Sequence, residues 1–427
     1  MIAIAIALTL LLVAGLPVAY SFALAGSFAL WYTGEQQLNV ISRMFSGLDT
    51  FVLMAAPFYI LAGELMNRGG ISERLIHLAQ ILVGRIRGGT AYAAILAAIM
   101  FSGISGTAVA DIAALGQIFI NGMAKEGYSK AFAAALVTAA SVIGPIIPPS
   151  VIMVLYAAVA DISVLSLFLA GIVPGLLLGV CCALVVYWRG RQGGAMPVAT
   201  ITVEKAEIPR LVRDGLLVLS LPAFIVLGTM SGAFTPTEAG GVAVVYAAFL
   251  GSFVFRSLNF SGFMKAARSS ARLTAGLFLL IAAVEVVNYV LILAGVAEGT
   301  AAIASIFKEH PKTFLLVCVF AFLVIGLALD SGPALLLLAP VLLPITRSMG
   351  IDDIHFSMVM IVSVTLGLIS PPVGICLFVA CKIGNITMRV LWSELALFFY
   401  AEIAVIVTLV YFPILSTGLP YLLRGAG

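Results

Sequence analysis

The sequence predicts an all-α polytopic membrane protein whose two halves repeat each other in inverted orientation. Three observations carry this expectation. First, 63% of the 427 residues are hydrophobic and only 10% are charged, where a soluble domain has about a quarter charged. Apolar runs of about 18 residues recur from end to end, and each is a candidate span. Second, Gly, Pro, hydroxyls and carboxyls interrupt these runs twice in each half. The first half has Phe101-Ser-Gly-Ile-Ser-Gly-Thr-Ala-Val-Ala-Asp111 and Gly144-Pro-Ile-Ile-Pro-Pro-Ser150; the second has Asp330-Ser-Gly-Pro333 and Gly367-Leu-Ile-Ser-Pro-Pro-Val373. Ser105 and Ser331 stand 226 residues apart, Pro148 and Pro371 223, Asp161 and Asn385 224, and Glu64 and Glu285 221. Four landmarks at nearly one spacing indicate an internal duplication. Third, the basic residues segregate to one side of the membrane, as set out below.

Taken in order, residues 2–24 read as a first span kinked at Pro17, rather than a removed signal, because no basic n-region precedes them. Residues 33–47 read as a polar connection and 50–66 as a second span. Between Arg68 and Arg87, Ile71, Leu75, Leu78 and Leu82 share one helical face, so this piece is an amphipathic arm suited to a membrane surface. Residues 88–123 form two half-length helices around Ser102–Gly106 with positive charge at both ends, the pattern of a re-entrant hairpin. Residues 128–160 are a span broken at Gly144–Ser150, and 163–187 are a further span. The longest polar segment, 189–213, divides the halves. Spans at 215–229 and 238–255 and a basic connector at 256–272 precede the repeat: a span at 273–293, a hairpin at 314–347 broken at Asp330–Pro333, a span at 357–379 broken at Gly367–Pro372, and a last span at 391–414.

With the N-terminus inside and both hairpins non-crossing, 17 of the 22 Lys and Arg lie inside and 5 outside, which satisfies the positive-inside rule. The C-terminus then lies outside. Five crossings separate the starts of the two units, so the units are inverted and their hairpins enter from opposite faces. Lys and Arg exceed Asp and Glu only by 22 to 19, and no basic face suits nucleic acid. The five Cys, at 181, 182, 318, 376 and 381, lie in apolar segments without metal spacing and read as small core residues.

Backbone leaves the helix at bilayer depth only where protein or a watery cavity satisfies it, and broken helices mark a transporter's binding sites. Asp111 and Asp330 sit beside the hairpin breaks with no Lys or Arg near them in sequence. An intramembrane carboxyl costs about 2.5–3.5 kcal/mol on the insertion scale. Set among hydroxyls and freed carbonyls it suits a hard cation with oxygen ligands, sodium, with a proton as competitor; Asp111 has a second reading as a helix cap. The helix N-termini beyond Ser105 and Ser331 favour an anionic substrate. Ser102, Ser105, Thr107, Ser150, Ser331 and Ser370 can supply oxygens, or bond back to their own helices. Thr107, Asp111, Ser150 and Ser331 are candidates for contact with substrate. Glu238, after Thr235-Pro-Thr, reads as a helix N-terminal carboxylate.

An enzyme reading rests on Gly103-Ile-Ser105-Gly106, which matches the Gly-x-Ser-Gly element of an intramembrane serine protease. Such a serine needs a base. The three His, at 77, 310 and 355, fall in connections between spans. The sequence therefore predicts no enzyme and leaves no catalytic residue.

The Ser-Gly-x-Ser-Gly tip with Asp111, the Gly144–Ser150 break, Pro236-Thr-Glu-Ala239, Ala62-Gly-Glu-Leu-Met66 and the Gly367-Leu-Ile-Ser-Pro-Pro break resemble the large membrane (M) subunit of tripartite ATP-independent periplasmic (TRAP) transporters. The resemblance covers essentially the whole chain. It implies an elevator-type importer of the bacterial inner membrane, taking up an organic anion such as a C4-dicarboxylate or sialic acid with two or more sodium ions. Carried over by motif, one sodium site would use Ser102, Ser105, Gly144 and Pro148. The other would use Gly326, Asp330, Gly367 and Ser370. The second tip is less rich in Gly and Ser than the first, a departure from the pattern. The implied organisation is first scaffold spans and arm (1–87), first half of the transport domain with its following span (88–187), cytoplasmic loop and scaffold spans (188–312), second half of the transport domain (313–387) and last span (388–427). Implied partners are a small four-span (Q) subunit, a periplasmic substrate-binding (P) protein and membrane lipids. Some family members carry the small subunit fused ahead, and here the chain starts at its first span, so a separate one is expected. A self-sufficient divalent-anion/sodium symporter, needing no binding protein, is the alternative.

Overall fold

The computed structural model describes residues 6–8, 10–11, 14–34, 38–192, 197, 206–295 and 305–424; of residues 38, 72, 104, 105 and 424 only the backbone is described. All regular structure among them is helical. Seven helices are long and apolar enough to cross a membrane, or eight if a helix pair bent by 63° counts as one span.

Helix α1 (Val18–Tyr32) begins after a turn at Gly15, with Pro17 as its N-cap. Residues 6–8 and 10–11 are helical too, so the expected first span is interrupted just ahead of Pro17, which restarts it because its fixed φ and missing N–H cost nothing at a helix start. The helix runs eight residues beyond the expected end at 24. The expected polar connection contains α2 (Leu38–Leu48). Its Val40 and Met44 pack with Ala29, Leu30, Val286 and Val290 in a small apolar cluster. The bent pair follows: α2 turns into a 3₁₀ stretch (Phe51–Met54) and α3 (Ala55–Arg68).

The arm is α4 (Ile71–Val83). Ile71, Leu75 and Leu78 are buried as its amphipathic pattern requires, but Leu82 is 61% exposed. Ile76 and Ala79 complete the buried face instead, so the stripe swings round the helix as 3.6 residues per turn dictates. Helices α5 (Gly89–Ser105) and α6 (Ala108–Lys125) are the two arms expected around Ser102–Gly106. Gly106 ends α5 in the left-handed region at φ +63°, and Thr107 caps α6, its side chain accepting from Ala110 N. The expected broken span is α7 (Lys130–Ala140), a 3₁₀ turn at Ser141–Ile143, and α8 (Val151–Ala160), capped by Ser150. Helix α9 (Val164–Arg191) then crosses, capped by Ser163.

Helices α10 (Ile208–Met230) and α11 (Pro236–Phe249) follow. Thr235 and Glu238 form a reciprocal capping box on α11, as the sequence indicated for Glu238. The expected basic connector is largely helical: α12 (Phe260–Leu293) is one uninterrupted rod of 34 residues, about 51 Å long. No Gly-Pro signal interrupts it, and Lys265, Arg268 and Arg272 simply face outward.

The second half repeats the first as α13 (Pro311–Ala328), α14 (Ser331–Ser348), α15 (Asp353–Gly367), α16 (Ile375–Gly384) and α17 (Met388–Tyr411), with α18 (Ile414–Arg424) after them. α13 and α14 each have 18 residues and pass the length test for a span individually. The repeat is visible in fine detail. Asp161 and Asn385 close α8 and α16 in the left-handed conformation, at φ 54° and 49°, and the residue after each sends its N–H back to the helix, to Ala157 O and Cys381 O. Asp and Asn tolerate that conformation better than other side chains. Both Pro-Pro pairs, 148–149 and 371–372, are cis. α6 packs on α16, and α14 packs on α8, so the helix after each Ser-Gly break lies against the helix after the other half's Pro-Pro break. α1, α2, α3, α11 and α12 pack together as a separate group.

Candidate functional site

Three helix N-termini meet at one cavity of about 390 Å³. Thr107 brings the start of α6, Val151 and Ile152 the start of α8, and Asp330 and Gly332 the start of α14. Tyr59, Glu64 and Asn67 of α3 and Leu273 and Leu277 of α12 form the opposite wall. Each helix start leaves up to four backbone N–H groups without an intrahelical partner. Thr107, Ser150 and Asp330 satisfy part of that demand, accepting from Ala110 N (3.3 Å), Met153 N (3.4 Å) and Ser331 N (2.8 Å). No Lys or Arg lines the cavity, and its two carboxylates are Glu64 and Asp330. Glu64 is already engaged, accepting from Ser269 Oγ (2.9 Å) and from Arg68 Nε (3.3 Å).

Behind the lining, the helices around each Ser-Gly break meet the helix of the same half that carries the Pro-Pro break through glycine. A Cβ on Gly144 would stand 2.0 Å from Asp111 Oδ2, and one on Gly103 would stand 3.0 Å from the Pro148 carbonyl. Asp111 itself is fully buried. Its cap reading is displaced, since Thr107 holds the cap and Asp111 sits in the first turn of α6. In the second half a Cβ on Gly326 would meet Val364 O at 2.4 Å, and one on Gly367 would meet Leu323 O at 2.8 Å. Only glycine lets α13 and α15 cross this closely.

The hydroxyls divide. Ser102 donates to Ile99 O (2.7 Å) and Ser370 to Leu366 O (3.3 Å), each back to its own helix. Ser331 is buried, and its side chain lies next to the Asp330 carboxylate. The Ser105 side chain lies outside the described residues. Of the four residues expected at substrate, Thr107 lines the cavity, while Ser150 and Ser331 adjoin its lining and Asp111 faces Gly144. Among the described residues no three His, Cys, Asp or Glu gather as a metal cluster, so a cation here would depend on hydroxyls and carbonyls.

Sequence reading missed the wall formed by Tyr59 and Asn67, and took Glu64 only as a repeat landmark. A signal was present: Glu64-x-x-Asn67 recurs as Glu285-x-x-Asn288. His355 differs from expectation. It is buried in the first turn of α15, with Nδ1 2.9 Å from Ser416 Oγ, because α18 folds over it. Glu402 is fully buried against Cys182 of α9, whose thiol donates to it at 3.5 Å. All five Cys are free.

Helices broken in duplicate around one shared cavity are the architecture of a membrane transporter. The solved structure of the Alcanivorax borkumensis YdaH transporter shares the fold, with a TM-score of 0.61 at 14% identity over 87% of this chain and 86% of that one. Residues 5–415 match the model of the tripartite ATP-independent periplasmic transporter, DctM component, and the chain belongs to that family. It is 34% identical to the sialic acid TRAP transporter large permease protein SiaM of Vibrio cholerae, over 98% of this chain and 97% of that protein. It is 36% identical to the C4-dicarboxylate TRAP transporter large permease protein DctM of Pseudomonas aeruginosa, over 94% and 93%. The chain is a transporter permease subunit and not an enzyme.

Proposed function

We propose that this subunit carries a small organic carboxylate across the bacterial inner membrane, coupled to sodium, by an elevator movement. The convergence of three helix N-termini on a cavity without Lys or Arg carries the reading. Each N-terminus attracts an anion by about 0.3–1 kcal/mol when exposed and up to about 2 kcal/mol when partly buried. Asp330 opposes an anion in the same cavity. A cation bound beside Asp330 and the Ser331 hydroxyl removes that opposition, which makes anion entry depend on the cation. The sodium ligands would be the two carried-over sets, with Ser102, Ser105, Gly144 and Pro148 at the first tip and Gly326, Asp330, Gly367 and Ser370 at the second. Thr107 and Ser331 would contact substrate, with Ser150 and Asp111 behind them.

The moving body would be the α5–α9 and α13–α16 group, and the fixed body the α1–α3, α11 and α12 group. In this reading α5–α6 and α13–α14 are re-entrant hairpins entering from opposite faces, the N-terminus is cytoplasmic and the C-terminus periplasmic. Substrate would arrive on a periplasmic binding protein, with a small membrane subunit bracing the fixed body. SiaM and DctM, named for sialic acid and C4-dicarboxylates, set the first compounds to try.

Proteoliposomes holding the chain, a small subunit and a loaded binding protein test this. Uptake is expected only with all three and an inward sodium gradient. Saturable sodium-driven uptake by the chain alone would instead establish the self-sufficient symporter. Cysteines near residues 88 and 125, at the base of the first hairpin, should label from the face opposite to those near 311 and 348, at the base of the second; labelling of both bases from one face overturns the hairpin arrangement.

A further inference from the structure

The same interface between the two helix groups holds a second cavity, of about 320 Å³, further along α12. Its polar lining is Glu285 and Asn288 of α12 with Ser46 and Thr50, the latter two flanking the end of α2. Leu277, in the first cavity, and Glu285 are eight residues apart on a continuous helix, a rise of about 12 Å. The two cavities are therefore separate places.

Glu285 is held where it is by close packing. A Cβ on Gly47 would stand 2.8 Å from the Glu285 Cβ. Among the described residues Glu285 makes no ion pair within 4.0 Å; Arg43 acts on it only from a distance. Arg43, the nearby cation, stacks over the Tyr289 ring at 4.0 Å. Asn288 is 9% exposed, and its side-chain amide bonds Glu285. Its Oδ1 is buried and has no hydrogen-bond partner. Flipping the amide would not help, because Oδ1 would then face a carboxylate. A buried acceptor left bare costs about 1–3 kcal/mol. A carboxylate, a bare amide oxygen and the exposed hydroxyls of Ser46 and Thr50 line one small space, and all four can turn an oxygen to a cation.

We propose that Glu285, Asn288, Ser46 and Thr50 form a monovalent-cation site on the fixed helix group, distinct from the hairpin sites. One carboxylate among neutral oxygens suits a monovalent ion, since divalent hard cations gather more carboxylates. The bound ion neutralises Glu285 at a point where the anion-carrying group slides past it. Glu64 needs no such ion at the equivalent place in the other half, since Arg68 and Ser269 already satisfy it.

The test is equilibrium binding of radioactive sodium to the full-length protein in nanodiscs, in an Asp330→Asn, Ser102→Ala, Ser105→Ala background so that both proposed tip sites are disabled. One sodium per chain should still bind in that background. Glu285→Gln and Asn288→Leu should each weaken this binding by roughly tenfold to a hundredfold, with potassium competing and calcium not. If Glu285→Gln fails to fold, Asn288→Leu decides alone. Were Asn288 only a packing residue, replacing its bare acceptor with a methyl-bearing side chain would raise thermal stability and leave sodium affinity unchanged, and that result overturns the site. Because the readout is binding and not uptake, it separates from the coupling tests above.

Discussion

The two halves carry the same motifs in different surroundings. In the first, the tip turns through Gly106 in the left-handed region and the break is sealed. Residues 141–150 are buried apart from half-buried Ile147, and Gly103 lies against Pro148, Pro149 and Pro222. In the second, the tip turns through Leu329 and Asp330 in extended conformation, and Pro371–Val373 of the break are exposed. The first broken segment restarts with a side-chain cap from Ser150, while the second restarts at Gly374 with none. A repeat frozen in one conformation cannot give both copies the same neighbours. Shared sequence specifies which atoms are available, and the partner surface decides which are covered.

The strongest test of the asymmetry is electrostatic. Asp330→Asn should reduce sodium-driven uptake by a hundredfold or more, about 2.7 kcal/mol, with the protein still folded, and Asp330→Glu should also fail. Asp111→Asn, placed behind the cavity lining, should cost less in uptake. Equal losses would mean the halves act alike despite their surroundings. Next come the glycine contacts common to both halves. Gly144→Ala and Gly326→Ala drive a Cβ to 2.0 Å from Asp111 Oδ2 and 2.4 Å from Val364 O. Each should lower stability by about 3 kcal/mol or more, read as a thermal shift in detergent. The tips should then part company. Gly103→Ala meets the Pro148 carbonyl at 3.0 Å and should cost about 1–3 kcal/mol. Gly332→Ala meets only Leu277 at 3.9 Å and should be neutral or stabilising by up to about 1 kcal/mol. The smallest effect is at the caps. Ser150→Ala should cost about 1 kcal/mol; Gly374→Ser cannot supply the missing cap, because its Cβ would stand 2.4 Å from Leu368 O, and it should cost as much as Gly326→Ala.

Much of this was legible in the sequence because Gly, Pro and capping residues act locally. Asp161 and Asn385, the two Pro-Pro pairs and the Thr235–Glu238 box all lie where short-range chemistry places them. What stayed hidden depends on partners distant in sequence. Nothing near His355 announces that α18 will cover it. Val40 and Met44 become a helix face only when α12 lies alongside. Residues 256–272 looked like a connector because of their charge, yet Ala, Arg and Ser sustain a helix well enough for α12 to continue through them. The cavity was half legible: its N-termini follow from the breaks, but the wall from α3 and α12 is a tertiary fact.

The meeting of three helix starts at the cavity has an evolutionary consequence. The attraction for negative charge there belongs to backbone amides, which do not titrate in the physiological range and are not erased by replacing any one side chain. A lysine or arginine in that role would be lost by a single codon change. Here the walls can be recut, at Tyr59, Asn67, Leu155 or Leu273, while the pull on a carboxylate persists. Under the proposed function, a lineage built on this plan can exchange one organic acid for another by small steps, without passing through an ancestor that binds none.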